Sequence, residues 1–504
     1  MAALGPERQR KDAIQRNIDL FAVMTGCNWM AGSGPGHDEG EECFLSERND
    51  SRAKFRFNLN GFCFSLAVCA LLFAAEGAQA APPQPAKTFQ FVLQNGLQVV
   101  VVPDHRAPVV TEMLWFKVGA IDDPPGISGM AHFFEHMMFR GTRSVPGDGF
   151  SQTIARGGGD DNAFTTQDYT VFHEQIAKDR LRLVMHLEAD RMANLDLSDS
   201  AVGTERDVVL AERRMRVDND PEALMQEQAE AALYLSHPYG RPVIGWPEEI
   251  RHIGHVEADD FYRRHYSPNN AILIVAGDVT VDEVRAGAEA EYGPLPAREL
   301  VARTDYAQPP RLGETRLVIA RKDAKVPMFL RLYRVHGYAD AAPGRAEALE
   351  VLARLLGGDT TSALYRRLVV ERRLATDVSA YYSGYTRDTG EFGFVAHPRP
   401  GVSLEVLEHA VDEVVAPYLR RAPTKAELAR AKTQLVAGVT FRRDSQFEMA
   451  SAYGRALAIG LTVFDVQQWP ARIQAVTRED VRKAAAASLV KKESVTATLM
   501  PASR

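Results

Sequence analysis

In the segment AHFFEHMMFRG, residues 131–141, His132 and His136 stand four apart, and Glu135 is three after the first histidine. On a helix, residues three and four apart share one face. Two imidazoles at that spacing can ligate one zinc ion, with a third protein ligand and a water completing a tetrahedron. Glu135 would then take a proton from that water. The order H-x-x-E-H is the inverse of the commoner H-E-x-x-H. Phe and Met surround the three polar residues, so the helix reads as buried, and buried polar groups need partners. A metal would provide them. The alternative is a pair of core histidines bonded to backbone carbonyls.

The third ligand has to come from another element. TERDVVLAERRMRVDNDP offers Glu205 and Glu212, seven apart and so on one helical face two turns apart. Either could ligate, and both could instead belong to a solvated charged face. Spacing alone does not choose between them.

With these residues in place, HFFEH followed by ERDVVLAE resembles the pitrilysin/insulinase family of zinc peptidases, the inverzincins. Within that family the chain is most similar to the short bacterial members and the subunits of the mitochondrial processing peptidase, from Thr88 to the C-terminus. The resemblance implies that His132, His136 and Glu212 bind one Zn2+ per chain and that Glu135 is the general base. Glu205 would orient a ligand histidine. GGGDDNAFTTQDYTVF also looks like the family's. By that likeness a peptide substrate adds as an extra strand at a sheet edge, beside Asn162, Ala163 and Phe164. One departure stands out. Active members often carry an Arg and a Tyr in the second half, where this chain has Val369 and Thr376 in LVVERRLAT. Arg366, Arg372 and Tyr381 lie nearby in sequence. The implied protein is an exported zinc metalloendopeptidase acting on peptides or unfolded segments, working as a homodimer or with a homologous subunit that lacks the zinc motif. The competing reading is a non-catalytic or partner-dependent subunit that keeps a structural metal.

The elements that must hold these residues read as an α+β fold. TFQFVLQNGLQVVVV is a strand, an Asn-Gly turn and a strand. VVTEMLWFKVG and NAILIVAGDV are further strands, the latter buried. KDRLRLVMHLEADRMANL and SAVGTERDVVLAERRMRV are helices, the second opened by Ser198 or Asp199. The second half repeats the plan: Val256 lies over Val476 and Asp260 over Asp480, and at nearly the same offset AHFFEHMMFRGT lies over ALEVLARLLGGD. This predicts two homologous domains of about 210 residues, each a mostly antiparallel sheet packed with helices, facing each other across a chamber. Their bounds read as 84–292 for the catalytic domain and 314–504 for its non-catalytic homologue, with the Pro-rich linker 293–313 between them. In that alignment Leu349, Leu352 and Ala353 stand for His132, Glu135 and His136, while Lys425 and Lys432 stand for Glu205 and Glu212.

Bulk properties fit such a protein. The chain of 504 residues is 45% hydrophobic and 25% charged, with a formal charge of −7, which gives no reason to expect nucleic acid as a partner. Residues 1–50 read as a polar N-terminal extension, or as a start placed too far upstream. Residues 51–80 combine a basic segment, an apolar run and a small-residue end, the order of a signal peptide cleaved after about Ala80. All four cysteines precede that point. The expected location is the periplasm, with no stable membrane span after cleavage.

Overall fold

The computed structural model describes residues 87–502. The N-terminal extension, the leader and the cysteines lie outside the described residues. No helix among the described residues is long and apolar enough to cross a membrane.

Two sheets of matching topology organise the fold. The first contains β1 (Phe89–Val92), β2 (Gln98–Pro103), β3 (Val109–Phe116), β4 (Asp160–Thr165), β5 (Thr170–Ala177) and β6 (Ala271–Gly277), in the spatial order β1-β2-β6-β3-β5-β4. The second contains β7 (Thr315–Arg321), β8 (Met328–His336), β9 (Ala375–Ser383), β10 (Thr389–Pro398) and β11 (Val495–Pro501), in the order β7-β11-β8-β10-β9. With β1 set aside, each strand of one sheet has a counterpart in the other. β2 with β6, and β7 with β11, are the parallel pairs, and the remaining neighbours run antiparallel. The two halves are therefore homologous in architecture. Strand β6 is buried along its whole length because both faces of its sheet are covered, which explains its unbroken apolar run.

On one face, each sheet packs helices from its own half. In the first these include α1 (Met130–Met137), α2 (Leu181–Asn194) and α3 (Asp199–Arg213), with Phe133, Phe134, Val184 and Val209 in a common core with β2, β3, β5 and β6. The opposite faces are covered by exchange. Helix α4 (Pro221–Leu233) belongs by sequence to the first half, yet Met225, Ala229 and Leu233 bury against Met328, Leu330, Leu332, Val495 and Ala497 of the second sheet. Those three recur every fourth residue, which makes one apolar stripe. The second half returns a helix: α5 (His255–His265) still packs in the first core, and after α6 (Arg345–Gly357) and α7 (Lys425–Arg442), α8 (Gln446–Ala458) sets Met449, Ala450 and Tyr453 on Val100, Met113, Trp115 and Ile274 of the first sheet. The described residues, 87–502, accordingly form one compact unit.

Gly454 of α8 packs against the indole of Trp115, and a Cβ there would overlap the ring. Gly454→Val is expected to cost about 1–3 kcal/mol through overpacking. The check is the urea midpoint of the full chain. A midpoint equal to that of the parent would mean that α8 does not clamp the first sheet.

The connection from Glu291 to Thr315 has no helix or strand, and side chains pin it in place. Arg303 donates to Asp122 and to the carbonyls of Lys117 and Asp168, while Gln308 Oε1 accepts from the backbone N–H groups of Ser236 and His237.

Candidate metal centre

Helix α1 starts at Gly129, whose φ of 87° is left-handed and whose missing Cβ leaves room for the Ile244 carbonyl oxygen. The Asp123 carboxylate accepts hydrogen bonds from Gly129 N at 2.7 Å and Ala131 N at 2.8 Å, satisfying N–H groups that the first turn leaves without partners. With Phe133, Phe134 and Met137 committed to the core, His132, Glu135 and His136 are left on the face that meets α3 and β4.

Helix α3 brings the carboxylates. His136 sits between both: its Nδ1 is 2.8 Å from Glu205 Oε1, and its Nε2 is 3.0 Å from Glu212 Oε2. His132 Nε2 lies 3.8 Å from the same Glu212 oxygen. One ligand atom from each of His132, His136 and Glu212 falls within 4.8 Å of the other two, the one such cluster among the described residues. Two turns of helix rise about 10 Å, which lets two glutamates on one face reach the opposite ends of a single imidazole.

Charge and burial suit a cation here. Burial holds His132 neutral, with its pKa lowered to about 3. Burial also works against a charge on His136, but its contacts with Glu205 and Glu212 outweigh that and raise it to about 10. Burial pushes Glu212 up, yet the attraction of His136 and His132 brings it down to about 2. A proton on His136 thus neutralises the cluster, in the place a metal ion would occupy electrostatically. His132 Nδ1 is buried without a hydrogen-bond partner, and Glu212 Oε2 meets the His136 ring. Two imidazoles and a carboxylate, with a buried imidazole nitrogen left unsatisfied, fit zinc.

Glu135 lies apart from this trio. It accepts a hydrogen bond of 2.7 Å from Thr165 Oγ1 at the end of β4, and burial raises its pKa above the usual carboxylate range. Strand β4 is the terminal strand of the first sheet, paired with β5 on one side. Asn162 and Ala163 lie along it, Ala163 packed into the core and Phe164 edge-on to Trp115 at 6.0 Å.

Three residues at this site escaped the sequence reading. Arg140 donates to Glu205 Oε2, and Arg216 Nη1 lies 2.8 Å from Glu212 Oε1. Each glutamate therefore turns one oxygen to a histidine and the other to an arginine. The third is Thr165. Arg216 is four residues after Glu212, a spacing that could have suggested the pair. It stands in a wider, π-helical turn, Arg214–Asp218, that continues α3. That turn is anchored by buried Arg213, which donates to both carboxylate oxygens of Glu227 at 2.7 and 2.9 Å.

Two correspondences with the second half need correction. Helix α6, like α1, starts after a left-handed glycine, Gly344 with φ 82°. Matching the two caps and buried faces sets Glu347, Glu350 and Val351, not Leu349, Leu352 and Ala353, opposite His132, Glu135 and His136. The second helix is thus not plainly apolar: Glu347 pairs with Arg472 at 2.9 Å, and Glu350 accepts from Tyr338 at 2.7 Å. Likewise Thr424 caps α7, whereas Thr204 lies inside α3, so Ala431 and Gly438 take the places of Glu205 and Glu212. The sequence alignment is displaced by two residues at α6 and by six at α7, because helical repeats tolerate such slips.

Val369 is buried in the second core, and Thr376 is exposed on β9 with its hydroxyl donating to the His397 carbonyl at 3.3 Å. Their neighbours are engaged elsewhere: Arg372 with Glu413 at 2.6 Å, Arg366 beside Glu371 at 3.9 Å, and Tyr381 with Glu391 at 2.5 Å.

Comparison with known proteins places the chain in a family. The family described as insulinase (peptidase family M16) matches residues 98–246, and the peptidase M16 inactive domain matches 256–435. A zinc protease of Mycobacterium leprae is 31% identical over 395 residues, covering 76% of this chain and 85% of that one. The mitochondrial-processing peptidase subunit beta of Blastocladiella emersonii is 26% identical over 404 residues, covering 78% and 84%. The crystal structure of a protease from Helicobacter pylori superposes with a TM-score of 0.77 at 26% identity, covering 83% of this chain and all of that one.

Proposed function

Since the chain belongs to the insulinase family of peptidases, family M16, we propose that it is an exported zinc metalloendopeptidase that cleaves peptides or unfolded segments. The observation that carries this reading is the convergence of His132, His136 and Glu212 with a separate half-buried carboxylate, Glu135, beside them. A purely structural metal site has no use for that fourth group.

In this reading His132, His136 and Glu212 hold the metal, and Glu205 and Arg140 fix the ring of His136 and its tautomer. Zinc, when bound, polarises the scissile carbonyl and lowers the pKa of a water. Glu135 accepts the proton of the attacking water and hands it to the leaving amine. Its raised pKa suits both halves of that transfer, since a useful base must also give the proton up near neutral pH. The open side of β4 takes the substrate as an added strand past Asn162, Ala163 and Phe164, using backbone hydrogen bonds that tolerate varied sequences. The chain works as a homodimer or with a homologous subunit that lacks the zinc motif, and only the latter can supply the Arg and Tyr functions absent at Val369 and Thr376. Periplasmic delivery rests on the signal-like segment before Ala80.

The test is hydrolysis of a quenched peptide library by the purified chain, before and after chelation and zinc restoration. Cleavage that vanishes with the chelator and returns with zinc is expected. A zinc-loaded chain inactive both alone and with any homologous subunit would refute the proposal.

A further inference from the structure

A cavity of about 290 Å³ lies where the first half, the connection and the second half meet. Four cationic side chains line it, Lys117, Arg264, Arg303 and Arg387, against a single carboxylate, Asp122. That carboxylate is already taken: it accepts from both Arg303 and the Gly119 N–H. Arg264 is turned to Asp260 on its own helix. Arg387 reaches Asp305 at 3.3 Å, but Asp305 is 98% exposed, so that pair is screened by water. The other nitrogen of Arg387, Nη1, is buried with no hydrogen-bond partner.

Lys117 is the least compensated group. It is half-buried, and its one acceptor among the described residues is the neutral Gln98 Oε1 at 3.4 Å. Burial and the nearby charge of Arg303 both disfavour its ammonium. A fold that gathers like charges in a partly enclosed space, and leaves guanidinium and ammonium donors unanswered, is completed by an anion. Leu300, Leu457 and Ile459 give the lining an apolar part as well. The volume is at the small end of ligand sites and does not suit a peptide segment.

We propose that this cavity binds a phosphate dianion, free or as a small monoester, held by Lys117 and Arg387 across the joint between the two halves. The ligand bridges Lys117 on the first half to Arg387 on the second, so it stabilises their junction. Its site is separate from the metal cluster.

The experiment is titration calorimetry of the full chain with inorganic phosphate and with phenyl phosphate, at ionic strength held constant with sodium chloride. Saturable binding is expected, weakened at least about tenfold in both Lys117→Gln and Arg387→Gln. Tighter binding of phenyl phosphate assigns the site to a monoester, through the apolar part of the lining, and equal binding assigns it to free phosphate. Lys117→Gln should not lower the melting midpoint of the ligand-free protein, because it removes a cation that has no acidic partner. Misfolding therefore cannot account for lost binding. No binding beyond the chloride control overturns the proposal. So does binding in both variants as strong as in the parent chain, which would place the phosphate elsewhere, for instance on the zinc.

Discussion

Glu135→Gln is expected to leave stoichiometric zinc bound while lowering peptide cleavage at least about a hundredfold, the usual scale for loss of a general base. The structure explains why the two effects separate. Glu135 is not among the three residues whose ligand atoms converge, so its charge does not hold the metal. Gln keeps the shape of the side chain and can still accept the hydrogen bond from Thr165 Oγ1. It cannot take a proton. The measurements are zinc content by elemental analysis and turnover of a quenched peptide with the same preparation. Near-normal turnover with zinc present would remove Glu135 from the mechanism. Loss of zinc along with activity would make it a ligand or a support for one.

Glu212→Gln is expected to do the reverse, weakening zinc affinity more than hundredfold and abolishing cleavage as a consequence. Altering a residue that only orients a ligand costs about 10–100-fold in affinity, so removing a ligand's charge should exceed that range. Glu205→Gln provides the comparison and should fall within it, because Glu205 meets His136 at Nδ1 and not at the nitrogen facing Glu212. Neither change should unfold the chain. Arg216, which loses its partner in Glu212→Gln, is 37% exposed and can turn to water. Competition with a chromophoric chelator measures both affinities. A larger loss for Glu205 than for Glu212 would invert the assigned roles.

The exchange of α4 and α8 changes how the molecule should be regarded. The sheets are duplicates, but neither buries both faces with helices of its own half. A fragment cut in the connection would expose the apolar face of β3 and β6 that α8 covers. The two halves are thus bound by chain topology as well as by the pinned connection.

Much of the candidate site was legible in the amino-acid sequence because the relevant geometry is local. Helical periodicity alone sets His132, Glu135 and His136 on one face, and Glu205 and Glu212 on another. Strands β1, β2, β3 and β6 were readable from their β-branched runs and turn residues, and the duplication from the repeat of that order. Long-range packing decided the rest. Whether Glu212 or Glu205 faces Nε2 depends on where α3 crosses α1, which no spacing within either helix encodes. The arginines behind the two glutamates, Thr165 under Glu135 and the register of α6 against α1 likewise depend on contacts between distant segments. The helix exchange was invisible for the same reason. An apolar stripe such as Met225, Ala229 and Leu233 states that a face must be buried, but not against which sheet.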